Sequence, residues 1–303
     1  MSFSSEAKNE LCRVPLSRPC CALAEAYGVL LYCHTFDSRE IRIVTASDGF
    51  AQRLPRLFRQ AFGVRFDALP EGGGKRTFAL TDETKIQSVF HTIGYAPQDS
   101  ITLHLNYSLL ENDCCRVSFL RGAFLAGGSV TDPEKRYHLE LVTSHFKVSR
   151  ECCNLLLELG FSPKETTRSG SSILYFKQSD AVEDLLTLLG APVSAMAVME
   201  AKLEKDMKNK VNRIVNCDSA NMGKVVEAAQ AQIAAIRQLE QLDALEPLSE
   251  ALKQTARLRM ENPEANLEEL AALSDPPVSK SAVNHRLRKL VELSRNLNTE
   301  EAP

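Results

Sequence analysis

The chain has 303 residues, of which 44% are hydrophobic and 25% charged. These proportions exclude a disordered or fibrous protein, and the length exceeds one ordinary core, so two or three domains are expected. A formal net charge of −3 excludes a wholesale basic protein of the histone type but leaves room for a local basic surface. No apolar run approaches the ~18 residues of a membrane span. The polar stretch from Met1 to Glu10 lacks the apolar centre of a signal segment, so a cytoplasmic protein without a membrane partner is expected.

In chain order, the pattern predicts a helix over Cys21–Tyr32, an alternating strand over Glu40–Thr45 and a helix over Gly49–Phe62 stopped by Gly63. Short strands follow near Val64–Leu69 and Thr77–Leu80, with Glu71-Gly72-Gly73-Gly74 as the turn between them, then a helix over Asp82–Ile93. The same series returns as a helix over Cys114–Ala126, a strand over Tyr137–Thr143 and a helix over Phe146–Leu159 stopped by Gly160. Strands near Glu165–Arg168 and Ser172–Phe176 and a helix over Ser179–Leu189 complete it. Landmarks keep a nearly constant offset: Ala26–Leu31 against Leu120–Leu125 (94), Ser47 against Ser144 (97), Gly63 against Gly160 (97), Gly94 against Gly190 (96) and Pro97 against Pro192 (95). Two copies of a ~95-residue α+β unit are therefore expected, at 1–97 and 98–195.

The first helix of each copy carries small residues four apart, Ala24 with Gly28 and Gly122 with Ala126. A glycine inside a helix costs about 1 kcal/mol against alanine, so a packing reason is expected. These faces predict that the two copies pair through their first helices about a pseudo-twofold axis.

Met196–Asn216 reads as a charged helix, with Lys202, Lys205, Lys208, Lys210 and Arg213 against Glu200, Glu204 and Asp206. It suits either a solvated linker or phosphate contact, and is assigned to residues 196–221. The remainder, 222–303, reads as a helical module broken at Pro247, with a helix over Leu248–Met260 ended by Pro263. Asn266 caps a short helix to Leu273, Ser274-Asp275-Pro276-Pro277 ends it, and Ser279 caps a basic helix from Lys280. Short helix, brief turn and capped basic helix form a helix-turn-helix signature.

On a wheel of 100° per residue, Val283, Leu287 and Leu290 form a core stripe within about 60°. Opposite lie Ser281, Asn284, His285 and Arg288, a face that offers an amide for adenine and a guanidinium for guanine. From Lys280 to Leu297, five basic residues meet one acid, a local balance of +4. Lys280, Ser281, Asn284, His285 and Arg288 are the candidate base-reading residues, and Arg286, Lys289 and Arg295 the candidate phosphate contacts. A solvated basic helix packed on its neighbours is the competing reading.

Nine cysteines occur, at 12, 20, 21, 33, 114, 115, 152, 153 and 217, six of them in vicinal pairs. No pair has zinc-finger spacing, and vicinal residues on a helix point about 100° apart, so no chelating face is expected. They read as small buried or half-buried hydrophobes, with no metal or cofactor implied.

The stretch Leu120-Arg121-Gly122-Ala123-Phe124-Leu125-Ala126-Gly127-Gly128-Ser129 resembles the LAGLIDADG helix of homing endonucleases, and Ala26 to Thr35 is a weaker copy. That resemblance implies αββαββα repeats whose motif helices form the interface and whose sheets form a saddle for DNA. It also implies a metal-binding acid near the end of each motif helix. The acid position falls on Gly127 in one copy and on Cys33, or on His34 if the alignment slips by one, in the other. Glycine has no ligating side chain and magnesium prefers oxygen, so cutting chemistry is not expected. Glu25 and Glu140 are the acids a surviving nuclease would use.

A degenerate pair of such motifs followed by a helix-turn-helix resembles the WhiA family of bacterial regulators. Tyr137-His138-Leu139-Glu140, Val211-Asn212-Arg213 and Asn284-His285-Arg286-Leu287-Arg288-Lys289 carry the match alongside the motif itself. The resemblance implies a non-catalytic, sequence-specific regulator of double-stranded DNA, tied to cell division, chromosome segregation and, in spore-forming relatives, sporulation. It implies a nucleoid-associated place in the cytoplasm. The remaining alternatives are a residual metal-dependent endonuclease and an adaptor that binds a transcription or division protein.

Overall fold

A computed structural model describes the backbone at residues 2–68, 74–95 and 102–300, and the side chains there except at 217, 218, 220, 221 and 298–300. The expected turn at Glu71 to Gly73, the end of the expected strand at Leu69, the landmark Pro97 and the side chain of Cys217 lie outside the described residues. The chain divides into two compact units, Met1–Asp206 and Met207–Pro303.

The first unit opens with α1 (Phe3–Leu11), whose start Ser2 caps through its hydroxyl. It was not expected from the polar N-terminal sequence. Its buried Ala7 and Leu11 join the main core. The first repeat follows as α2 (Pro19–Tyr32), β1 (Thr35–Phe36), β2 (Ile41–Thr45), α3 (Asp48–Phe62), β3 (Arg76–Leu80) and α4 (Glu83–Thr92). A 3-10 turn at Tyr107–Leu109 leads to the second repeat: α5 (Asp113–Gly127), β4 (Gly128–Val130), β5 (Leu139–Thr143), α6 (Phe146–Glu158), β6 (Lys164–Arg168), β7 (Ser171–Phe176) and α7 (Ser179–Leu189). The second repeat thus runs in the expected αββαββα order, and among the described residues the first runs as αββαβα, one strand short of it. The short strands β1 and β4, directly after the motif helices, escape the sequence pattern because two or three residues show no period.

The second sheet is antiparallel in the order β4-β5-β7-β6. Among the described residues the first has three strands, β1-β2-β3, and the described part of the strand expected near Val64–Leu69 makes a single bridge, Ala68 to Ala79. The reason is local. Val64 and Phe66 turn into the core, and the Asp67 carboxylate accepts from the Thr81 and Asp82 amides at 2.8 and 3.0 Å, where a ladder would otherwise continue. Ser47 caps α3, and Gly63 and Gly190 end α3 and α7 in left-handed conformations, as glycine stops do.

The repeats meet through α2 and α5, and the contact is reciprocal. A methyl group at Gly28 would stand 2.1 Å from the Phe119 carbonyl oxygen; one at Gly122 would stand 2.0 Å from the Glu25 carbonyl oxygen. Gly28 and Gly122 are 94 residues apart, and so are Glu25 and Phe119. The sequence offset is therefore a pseudo-twofold axis in space.

From Pro192 to Gln241 the backbone is one helix, α8, across the boundary placed at 221 by sequence. Its start is held in the first unit by Glu10, whose carboxylate accepts from the Val193 and Ser194 amides at 2.7 and 3.0 Å. The second unit adds α9 (Glu250–Glu261), α10 (Leu267–Leu273) and α11 (Lys280–Glu300). Its own core gathers Ile236, Leu239, Leu252, Ala256, Leu270, Val283, Leu287 and Leu290.

Candidate nucleic-acid interface

In the second unit α10 and α11 are built as the sequence predicts. Asn266 accepts from the Glu268 and Glu269 amides at 2.8 and 3.1 Å, while the Glu269 carboxylate accepts from the Asn266 amide at 2.8 Å, a reciprocal capping box. The turn closes when the Val278 amide donates to the Ala271 carbonyl at 3.1 Å. Ser279 then caps α11 by accepting from the Ala282 amide at 3.2 Å.

Val283, Leu287 and Leu290 are fully buried and set the rotation of α11. Ser281, His285 and Arg288 stand exposed, and their spacing of four and three residues keeps them on one strip. Lys289 and Arg295 are exposed beside it, and Arg286 is half-buried. Asn284 is half-buried and lines a cleft of about 280 Å³ with Asn266, Glu268 and Lys280. Lys280 is exposed, but its ammonium pairs with the Glu268 carboxylate at 2.9 Å, which holds that carboxyl below its ordinary range. The expected base-reading set is therefore divided, three residues on the open strip and two at its margin against α10.

Arg259, on α9, was not singled out by sequence. It is buried, its Nη1 donates to the Ala265 carbonyl at 2.7 Å, and burial lowers its pKa. It holds the loop before α10 in place. A basic residue within a core-facing stretch was its only sequence signal.

Residues 211–294 match the profile of the WhiA C-terminal HTH domain, and residues 116–208 that of the WhiA LAGLIDADG-like domain. A probable cell division protein WhiA of Ruminiclostridium cellulolyticum is 36% identical over 311 residues, covering 98% of each chain. The chain belongs to the WhiA family. Another relative of the same name, from Desulforudis audaxviator, is 37% identical over 306 residues, again covering 98% of each chain. The crystal structure of full-length WhiA from Thermotoga maritima shares the fold, with a TM-score of 0.60 at 23% identity over 98% of this chain and 99% of that one.

Within this WhiA-family fold, the C-terminal ends of the motif helices are filled. A side chain at Gly127 would meet the Val142 carbonyl oxygen at 2.4 Å and the Tyr32 carbonyl oxygen at 3.0 Å. The Cys33 thiol donates to the Leu30 and Thr35 carbonyls at 3.2 and 3.1 Å, and burial pushes its pKa up to about 12. Neither position offers an oxygen ligand. Glu25 is buried and takes two bonds from Arg53, at 2.6 and 2.9 Å, with Arg121 at 3.4 Å. Glu140 lies on β5 with His138 at 3.3 Å and Arg168 at 3.6 Å. Among the described residues Glu25, Cys33 and Glu140 are not part of a group of side chains that could hold a metal ion.

At the opposite, N-terminal end of the same helix pair, the thiols of Cys20, Cys21, Cys114 and Cys115 all lie within 4.8 Å of one another. The expectation that vicinal cysteines on a helix point too far apart to chelate fails at Cys114-Cys115, whose sulfurs stand 4.0 Å apart because side-chain rotation brings them together, although two thiols do not make a complete site. The pseudo-twofold axis supplies what one pair lacks, because Cys20-Cys21 and Cys114-Cys115 are separated by the repeat offset of 94. That shared offset was the signal available in the sequence. Among them Cys114 has a lowered pKa, from the Cys21 thiol that bonds to it and from the Arg18 guanidinium.

Proposed function

We propose that this WhiA-family chain is a non-catalytic, sequence-specific DNA-binding regulator of transcription, acting in cell division and chromosome segregation, and in sporulation where relatives form spores. Its place would be at the nucleoid in the cytoplasm. The observation that carries the reading is the rotation of α11: three core residues bury one side and leave Ser281, His285 and Arg288 on an exposed strip flanked by Lys289. A helix of this kind inserts its exposed face into a major groove of double-stranded DNA.

In this reading Ser281, His285 and Arg288 contact base edges directly. Asn284 reaches a base from the margin of the strip, and Lys280 does so after exchanging Glu268 for DNA. Arg286, Lys289 and Arg295 hold phosphates, which position the protein without reading sequence. The filled Gly127 and Cys33 positions and the ion-paired Glu25 support the absence of cutting chemistry. A transcription or division protein is the second class of partner, for a first unit that no longer cuts.

Selection of binding sites from random duplexes, repeated with variants, tests this. Arg288→Ala is expected to relax specificity at one position and cost about 1–3 kcal/mol. Lys289→Ala is expected to weaken all sequences alike and reduce the salt slope by about 1. Binding unchanged by both substitutions would sink the proposal. Supercoiled plasmid with magnesium or manganese should stay intact, and nicking that Glu140→Gln abolishes would restore the nuclease reading.

A further inference from the structure

The cysteine cluster lies at the end of the helix pair remote from the positions where nucleases of this fold carry their acids. We propose that Cys20, Cys21, Cys114 and Cys115 form a tetrathiolate site for a single zinc ion that ties the two repeats together. Each repeat contributes one vicinal pair, at equivalent positions in the first turns of α2 and α5.

The distances fit a mononuclear site. Zinc bound by thiolates at about 2.3 Å in a tetrahedron has sulfur–sulfur edges of about 3.8 Å. The Cys114 and Cys115 sulfurs already stand 4.0 Å apart, and the widest separation in the group is 4.8 Å. Closing the remainder takes about 1 Å of side-chain rotation, in a cluster where Cys20 is exposed and only Cys115 is buried. An iron–sulfur cluster spreads its cysteines around a core of several atoms, and this spacing is too tight for it. Four soft sulfur donors in a tetrahedral set select zinc over magnesium or calcium, which take oxygen.

The surroundings suit the charge. Loading releases four thiol protons and leaves a complex of net charge −2. The cluster sits in the first turns of two helices, 14 and 15 residues long, where the helix dipole is positive, and neither Arg18 nor Asn112 caps its helix through its side chain. The Arg18 guanidinium lies 3.7 Å from the Cys114 sulfur. The pair spacing within the sequence hides the site, since its ligands come from segments 94 residues apart.

Cobalt(II) titrated into the reduced full-length chain under anaerobic conditions is the test. One equivalent should bind with the intense visible bands of tetrahedral cobalt and a sulfur-to-metal charge-transfer band, and one equivalent of zinc should bleach both. The double variant Cys20→Ser/Cys114→Ser should lose the bands, whereas Cys12→Ser should keep them. Should the double variant fold poorly, Cys20→Ser alone, at an exposed position, must weaken cobalt binding by at least about tenfold. Absence of tetrahedral bands at one equivalent in the fully reduced chain would overturn the proposal. So would bands that survive both cluster variants.

Discussion

Glu25 shows how one residue acquires a role its position in the sequence does not announce. It lies on a motif helix, where an acid invites comparison with a nuclease ligand, yet it is 1% exposed and bound by two guanidiniums. Arg53 also donates to the Cys12 and Val14 carbonyls, at 3.0 and 2.6 Å, and Arg121 to the Leu189 carbonyl at 2.7 Å. The carboxylate therefore fastens α3, α5, the segment after α1 and the end of α7 to α2. Burial lowers the Arg121 pKa even beside this carboxylate. Removing the negative charge leaves two buried cations unpaired, which is the costly case for a buried ion pair. Glu25→Gln is expected to lose about 3–5 kcal/mol in urea denaturation, with no change in plasmid integrity. A stable variant would show that the network is dispensable. Lys280 carries a similar lesson, because its partner Glu268 sits on the preceding helix and no periodicity within α11 reveals it.

Among the elements, α2 and α5 carry the architecture. The small residues at four-residue spacing were legible as a close helix contact, and Gly28 and Gly122 are where the two backbones touch. Ala24 is buried in the same core, while Ala126 is half-buried against it. At Gly122 the obstacle is the Glu25 backbone, not a side chain that could swing aside. Gly122→Ala is expected to destabilise the first unit by about 3 kcal/mol. Gly223→Ala, in open space on α8, should be neutral or slightly stabilising through helix propensity. Thermal denaturation of the two variants separates packing from propensity, and equal melting temperatures would refute the close-contact account. The helices α10 and α11 were legible for another reason: their caps, Asn266 with Glu269 and Ser279, lie within three residues of the amides they serve.

For the molecule as a whole, two cores serve two units, and α8 passes from the first into the second. From Asp206 to Asn216 every residue of α8 is exposed, including the basic Lys210 and Arg213. Local opening of a helix that buries nothing costs little, so this stretch is where a protease gains entry. Brief trypsin treatment is expected to cut first at Lys208, Lys210 or Arg213 and to release fragments that match the two units. Early cleavage inside α2 or α5 instead would contradict the assignment of the cores.

What the sequence determined by itself is whatever a few neighbouring residues encode. The stripe of Val283, Leu287 and Leu290, the glycine stops and the caps arise from hydrogen bonds or periodicities spanning a handful of positions, and the repeat offset from two such local series laid side by side. The helix-turn-helix and the degenerate motif were legible for that reason. Only the tertiary structure decided which distant groups meet. It placed Glu25 between Arg53 and Arg121, left no room for a side chain at Gly127, and moved Asn284 to the edge of the exposed strip. It also gathered four thiols from two pairs. Each of these depends on how closely two helix backbones approach and at what rotation, and the packing of whole faces sets both.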